Sequence, residues 1–288
     1  MLAPTSSFTT EWPSPWSAEL KVEILNTAFG TRLGHRRHHG PLRIQRPFFP
    51  EGPEVLHLYL LHPPGGVVGG DHLNTRIDTR SDAHALLTTP AAQKIYRSLG
   101  STSLVQTELH AEAGAKLEWL PSETIVYDGA IAQSELRVFL DPDASFIGWD
   151  LICFGRPASN SPFSAGNITF STEVTIGNRL ELSERFEIDG GSEVLSAPWG
   201  LAGNVCMGTL ICASKHAERL EQLGVAIRDS LGRSHQTCTS VTHLGTLSVL
   251  RVQGASAQSV RRVLVQGWSI ARPLMLGQTA HAPRIWST

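Results

Sequence analysis

Arg179 to Ile188 reads RLELSERFEI, and its alternation decides the fold. Leu180, Leu182, Phe186 and Ile188 fall on one face, and Arg179, Glu181, Ser183, Arg185 and Glu187 on the other. Successive side chains of a strand point to opposite faces, so a period of two marks a half-buried strand. Thr169 to Ile176 (TFSTEVTI) repeats the pattern through Phe170, Val174 and Ile176, and Glu135 to Leu140 repeats it through Leu136, Val138 and Leu140. Turn signals separate the runs at Asp141-Pro142-Asp143, Gly177-Asn178 and Asp189-Gly190-Gly191. Gly177-Asn178, between two alternating runs, predicts a tight hairpin.

Two segments change to a helical period. Ser214 is placed to cap a helix running to about Leu231, with Ala217, Leu220, Ile227 and Leu231 on one stripe and Gly232 as the stop. A second helix is predicted from about Ala257 to Ala271, with Val260, Leu264, Trp268 and Ala271 on its stripe and Pro273 ending it. Everything before residue 200 reads as strands and loops, with no fixed-period repeat and no linker. The expected fold is mainly β: one β-rich domain over 18–288 with two α-helices in its C-terminal third. A flexible tail is expected over residues 1–17, where Pro4, Pro13, Pro15 and a Ser/Thr cluster oppose helix and strand alike. Trp12 and Trp16 within it read equally as a docking element or as disorder.

The 288 residues are 41% hydrophobic and 17% charged, enough for a sizeable globular core. A net charge of -2 carries no footprint for nucleic acid or an anionic membrane. The N-terminus lacks the basic and apolar regions of a signal peptide, and no apolar run has membrane-spanning length. The four cysteines, Cys153, Cys206, Cys212 and Cys238, form no CxxC pair and read as inert thiols in a reducing cytosol.

Gly65-Gly66-Val67-Val68-Gly69-Gly70-Asp71 invites a nucleotide reading. A phosphate loop ends in Gly-Lys-Ser/Thr, whose lysine reaches the phosphates and whose hydroxyl holds magnesium. Here Asp71 and His72 take those places, and an acid repels phosphate. A dinucleotide fingerprint opens directly into a helix, whereas His72 to Thr79 (HLNTRIDT) reads as a strand. Nucleotide binding is therefore excluded. Two readings stay open: a buried turn that needs glycine for positive φ and close approach, or a polar passage where Asp71 and His72 meet a transient divalent metal.

His35-Arg36-Arg37-His38-His39 gathers three imidazoles able to hold Ni²⁺ or Zn²⁺, but two arginines oppose a cation. A solvated loop before Gly40-Pro41 is expected there. Leu117 to Ala130 (LEWLPSETIVYDGA) carries Glu118 and Glu123, a pair of carboxylates able to serve as acid and base. Glu118 points away from the face of Leu117 and Trp119, so it is either a buried acid that must find partners or an ordinary surface residue. No GxSxG, no HExxH and no His-x-Glu paired with CxxC accompanies them.

Six separated blocks resemble, in order, the urease accessory protein family UreD, also called UreH. They are Gly40 to Pro50 (GPLRIQRPFFP), Leu60 to Asp71 (LLHPPGGVVGGD), Leu86 to Ser98 (LLTTPAAQKIYRS), Leu117 to Ala130, Gly148 to Ala158 (GWDLICFGRPA) and Pro283 to Thr288 (PRIWST). The resemblance covers the chain from about Gly30 to the end and leaves the N-terminal tail without a family reading. It implies a β-helix-like body of stacked strands with two helices, and a cytoplasmic scaffold in place of an enzyme. It also implies binding to apo-urease, to UreF and, through UreF, to the GTPase UreG. No cofactor is expected to bind tightly. GTP belongs to the partner GTPase, and nickel is in transit to the urease active site by an internal passage.

Oxygen and imidazole ligands that bind weakly and release suit such a passage, whereas clustered thiolates would trap the ion. Asp71, Glu118 and Glu123 are the expected metal-contacting residues, with His72 a lesser one. Arg284, Ile285 and Trp286 read either as a partner anchor or as a tail docked on its own body. The competing function is a β-rich hydrolase using Asp71 and a nearby glutamate. Poor solubility without UreF is also expected, given the low charge.

Overall fold

Strands that read as alternating runs stack in one wall, and strands that read as continuous apolar runs stack in another. A computed structural model describes residues 15–231 and 237–287. In chain order the strands begin with β1 (Ser17–Thr27), β2 (Gly30–His39), β3 (Arg43–Ile44), β4 (Val55–Leu61), β5 (His72–Thr79), β6 (His84–Thr88), β7 (Gln93–Ile95) and β8 (Ser103–Ala111). They continue with β9 (Lys116–Trp119), β10 (Thr124–Val126), β11 (Ala130–Leu140), β12 (Ser145–Phe154), β13 (Gly166–Ile176), β14 (Arg179–Asp189), β15 (Cys206–Ala213), β16 (Thr237–His243) and β17 (Leu247–Gly254). Two helices follow the long-strand region, α1 (Ala217–Leu231) and α2 (Ala257–Leu276).

The first wall runs β14-β13-β11-β8-β5-β1-β2, and the second runs β16-β17-β15-β12-β9-β6-β4-β3. In the first, β1, β5, β8, β11 and β13 are parallel neighbours. In the second, β4, β6, β9 and β12 are parallel neighbours. From β4 to β13 the chain passes back and forth between the walls, laying each pass beside the last. Short β7 and β10 pair along one corner, and β10 also joins the end of β12. The result is one domain of β-solenoid-like stacked coils.

The inner faces meet over Leu20, Ile24, Ile77 and Val138 from the first wall and Leu58, Leu87 and Phe146 from the second. The outer face of the second wall is covered: Trp149, Leu210 and Leu250 pack against Leu223 of α1 and Leu264 and Trp268 of α2. Burial on both faces explains why VLHLYLL of β4 and FIGWDLICF of β12 are almost unbroken apolar runs. The outer face of the first wall instead meets solvent, with polar residues in rows across the strands, such as Lys21–Arg76–Glu108–Arg137–Glu173.

The hairpin at Gly177-Asn178 forms as predicted, with Gly177 at φ +59°. Leu182 and Ile188 are buried, but Leu180 is 55% exposed, against the sequence reading. The β13–β14 register shifts between Val174, which faces Leu182, and Thr175, which faces Leu180. One extra residue in β14 forms a β-bulge there and turns Leu180 outward.

The first helix starts at Ala217 and not directly after Ser214, whose hydroxyl accepts from the His216 N–H at 3.3 Å. Ala217 is exposed, while Leu220 and Ile227 are buried as expected. Gly232, the expected stop, lies outside the described residues. Pro273 does not end the second helix, which continues to Leu276 and closes on Gly277. Met275 and Leu276 are buried by that last turn, and Lys116 Nζ caps the Leu276 carbonyl at 2.9 Å.

The segment expected as a loop at His35 to His39 is the end of edge strand β2, hydrogen-bonded to β1. Strand alternation divides its three imidazoles between two faces. Of the expected tail, Trp12 lies outside the described residues, while Trp16 bonds to the body and Ser17 already opens β1. Among the described residues, no helix is long and apolar enough to cross a membrane.

The bulge gives neighbouring leucines opposite fates. Leu182→Ala is expected to cost about 3 kcal/mol through its buried cavity. Leu180→Ala is expected to stay within about 0.5 kcal/mol. Urea unfolding midpoints of the two variants check the difference.

Candidate functional site

Beneath α2 lies a buried cluster of charged groups. Glu118 on β9 is fully buried. Its carboxylate accepts from His84 Nε2 at 2.8 Å, from Trp268 Nε1 at 2.6 Å and from Arg272 Nε at 3.1 Å. Trp268 and Arg272 are four residues apart on α2, so both reach the same carboxylate. The Arg272 guanidinium then forks onto Glu51, with Nη1 and Nη2 donating at 2.6 and 2.7 Å. His57 Nε2 lies 2.7 Å from the same Glu51 carboxylate.

Burial alone would raise the pKa of Glu118, but the His84 contact and the Arg272 charge outweigh it and hold the carboxyl below its ordinary value. Glu51 is likewise opposed by burial, yet His57 and Arg272 hold it down to about 2. Of the two readings of Glu118, the buried acid with partners is the one observed.

The other expected metal contacts lie in different surroundings. Asp71 is 2% exposed, and its two carboxylate oxygens accept from the Trp16 N–H at 2.8 Å and the Val68 N–H at 3.0 Å. It therefore closes the glycine turn and pins the start of β1. The turn needs its glycines: a Cβ on Gly66 would come within 2.2 Å of the Tyr96 ring. His72 is exposed. Glu123 is partly buried and pairs with Arg261 at 3.5 Å. The structure does not gather Asp71, His72, Glu118 and Glu123 into one cluster. Among the described residues, no three His, Cys, Asp or Glu side chains are grouped to hold a metal.

A cavity of about 470 Å³ opens between the two walls. Leu42, His62, Gln93, Ser122 and Asp150 line it, one from each of the first five sequence blocks quoted above. Thr75, Thr107 and Thr172 add hydroxyls from the first wall. A smaller recess shares Asp150 and Thr172 and continues toward Glu184 and Thr209.

Asp150 faces this space with no neighbouring charge to offset its burial, which pushes its pKa up to about 6. His62 Nε2 is buried without a hydrogen-bond partner, and burial pushes that imidazole's pKa down against the pull of Asp71. Sequence reasoning missed both residues. The signal for Asp150 was available, because it is the one acid in the apolar run Phe146 to Phe154. His62 between Leu61 and Pro63 gives no comparable signal.

The C-terminal block packs on its own body. Trp286 lies 5.3 Å from the Trp149 ring and 5.4 Å, edge-on, from Trp268. Its Nε1 donates to Thr88 Oγ1 at 3.1 Å, and Arg261 covers its face at 5.3 Å. Ile285 is half-buried, and Arg284 is exposed.

Removing one member of the buried cluster strands the rest. Glu118→Ala is expected to cost about 3–5 kcal/mol, because Arg272 and Trp268 lose a buried acceptor. Chemical denaturation of the purified variant checks it. The acid limb follows from the depressed carboxyls. Glu51 binds its proton more weakly when folded, so its stabilisation is present above its unfolded pKa near 4.5 and is lost as pH falls toward about 2. Glu51→Gln is expected to flatten stability against pH in that window, as read by urea midpoints at successive pH values.

Comparison with known proteins places the chain in a family. A family model described as UreD urease accessory protein matches residues 17–287. A urease accessory protein UreD of Pseudomonas putida (strain GB-1) is 38% identical over 273 residues, covering 95% of each chain. One from Alcanivorax borkumensis is 37% identical, covering 96% of this chain and 92% of its own. One from Nitrosospira multiformis is 36% identical, covering 96% of this chain and 99% of its own. The chain, matched over nearly its whole length, belongs to the UreD family of urease accessory proteins.

Proposed function

We propose that this protein is a urease maturation factor of the cytoplasm, a scaffold and not a catalyst. It binds apo-urease and UreF and, through UreF, the GTPase UreG, which keeps the GTP. Nickel is its cargo and crosses by way of the inter-wall cavity. The observation that carries this reading is convergence: five of the six blocks that resemble the family supply residues to one cavity. Within it, Asp150 offers a carboxylate with no neighbouring charge, and His62 an imidazole Nε2 with no hydrogen-bond partner. Such donors hold a borderline divalent ion weakly enough to let it go.

In this reading Asp71 and Glu118 frame the passage, since their oxygens are already satisfied by Val68, His84 and Arg272. His72 stands exposed, and Glu123, paired with Arg261, lies nearer the surface. Arg284 is the part of the C-terminal block offered to a partner, with Ile285 and Trp286 fixing its place.

The test is co-expression of the urease subunits and the other accessory proteins with wild-type chain, with no chain, or with Asp150→Asn. Nickel per purified urease is then measured. Omitting the chain is expected to abolish incorporation while apo-urease still assembles. Asp150→Asn is expected to lower incorporation about tenfold, the scale on which losing one supporting group acts at a metal site. Unchanged nickel with Asp150→Asn would remove the passage and leave the scaffold. Unchanged nickel without the chain would remove both.

A further inference from the structure

The β12–β15 ladder ends with Cys153 directly opposite Cys206. The next pair outward is joined by the Phe154 N–H donating to the Val205 carbonyl at 2.8 Å. Hydrogen-bonded and non-hydrogen-bonded pairs alternate along an antiparallel ladder, so Cys153 and Cys206 form a non-hydrogen-bonded pair. Such pairs bring their Cα atoms to about 4.5 Å, inside the roughly 4.4–6.8 Å that a disulfide spans. The two Sγ atoms lie 2.7 Å apart, and both residues are buried free thiols.

The other two cysteines have no such arrangement. Cys212 faces Ile147 and Ser248, and Cys238 faces Gln253. The neighbouring Cys206 thiol and burial push the Cys153 thiol upward, so it reacts slowly while the strands are closed. The pair nevertheless lies where β12 and β15 both terminate. Strand ends open locally at less cost than the whole domain.

We propose that Cys153 and Cys206 are a redox site that closes into a cross-strand disulfide when the strand ends open to a low-molecular-weight disulfide such as oxidised glutathione. One cysteine thiolate attacks a sulfur of the oxidant and expels one glutathione thiolate. The second cysteine then attacks the protein sulfur of that mixed disulfide and expels the other glutathione. Two protein thiols become one S–S bond, one glutathione disulfide becomes two thiols, and the cysteine protons pass by way of solvent to the departing thiolates. The new bond ties β12, which carries Asp150, to β15, which carries Thr209 beside the same recess. Oxidation therefore locks one wall of the cavity. The site itself requires no nickel and stands whether or not the passage does.

The full chain is incubated in glutathione buffers from reducing to oxidising, with and without sub-denaturing urea to open the strand ends. After acid quench, free thiols are alkylated in denaturant and the peptides are mapped. The expected product links the peptides of Cys153 and Cys206 and is lighter by two hydrogens, with Cys212 and Cys238 alkylated. Dithiothreitol is expected to restore four alkylatable thiols. Cys238→Ser should keep the link and Cys153→Ser should abolish it, and Tm should rise on oxidation only where the link forms. Four alkylated thiols at the oxidising end in both urea conditions, or any other pairing, would overturn the proposal.

Discussion

Arg272 holds the covered wall together. A fully buried guanidinium is tolerated only where carboxylates answer it, and here two do: Glu118 from the wall and Glu51 from the loop before β4. The planar fork lets one side chain bind both at once, which a lysine could not do. Trp268, one turn earlier, donates to the same Glu118 carboxylate and receives the edge-on contact of Trp286. Wall, helix and C-terminal block thus meet at one node. The cover over β12 and β15 depends on it, and so does the backing of the cavity.

The two walls explain which parts of the fold were legible. Strands β11, β13 and β14 face solvent on one side, so their alternation appears directly in the letters. Strands β4, β6 and β12 are buried on both faces, and their continuous apolar runs carry no period that separates strand from helix. The bulge that turns Leu180 outward lies in the pairing with β13 and has no local signature. Pro273 misled in the other direction. Its missing N–H costs one helical bond, but burial of Met275 and Leu276 carries the helix past it.

The site was legible in a different measure. Five of the six motif blocks converge on the lining of one cavity. The individual acids were less informative. Asp71 and Glu118 stand out in sequence, yet their oxygens bind backbone N–H groups and buried cations. Asp150 and His62 are set apart by what they lack, and an absent partner is visible only when the surrounding chain is in place.

The solvent-facing wall has two register irregularities, between Val22 and Ile24 and between Val174 and Thr175. Both lie in antiparallel edge pairs, while the four parallel pairings between them run without a shift. A residue added inside β5, β8 or β11 would exchange inner and outer faces for the rest of that strand. Thr75 and Ile77 would trade places with Arg76 and Asp78, and the error would be pressed on both neighbours. The wall therefore accommodates a change of length best in the connections and at its two margins. Relatives of different length should carry their insertions and deletions there.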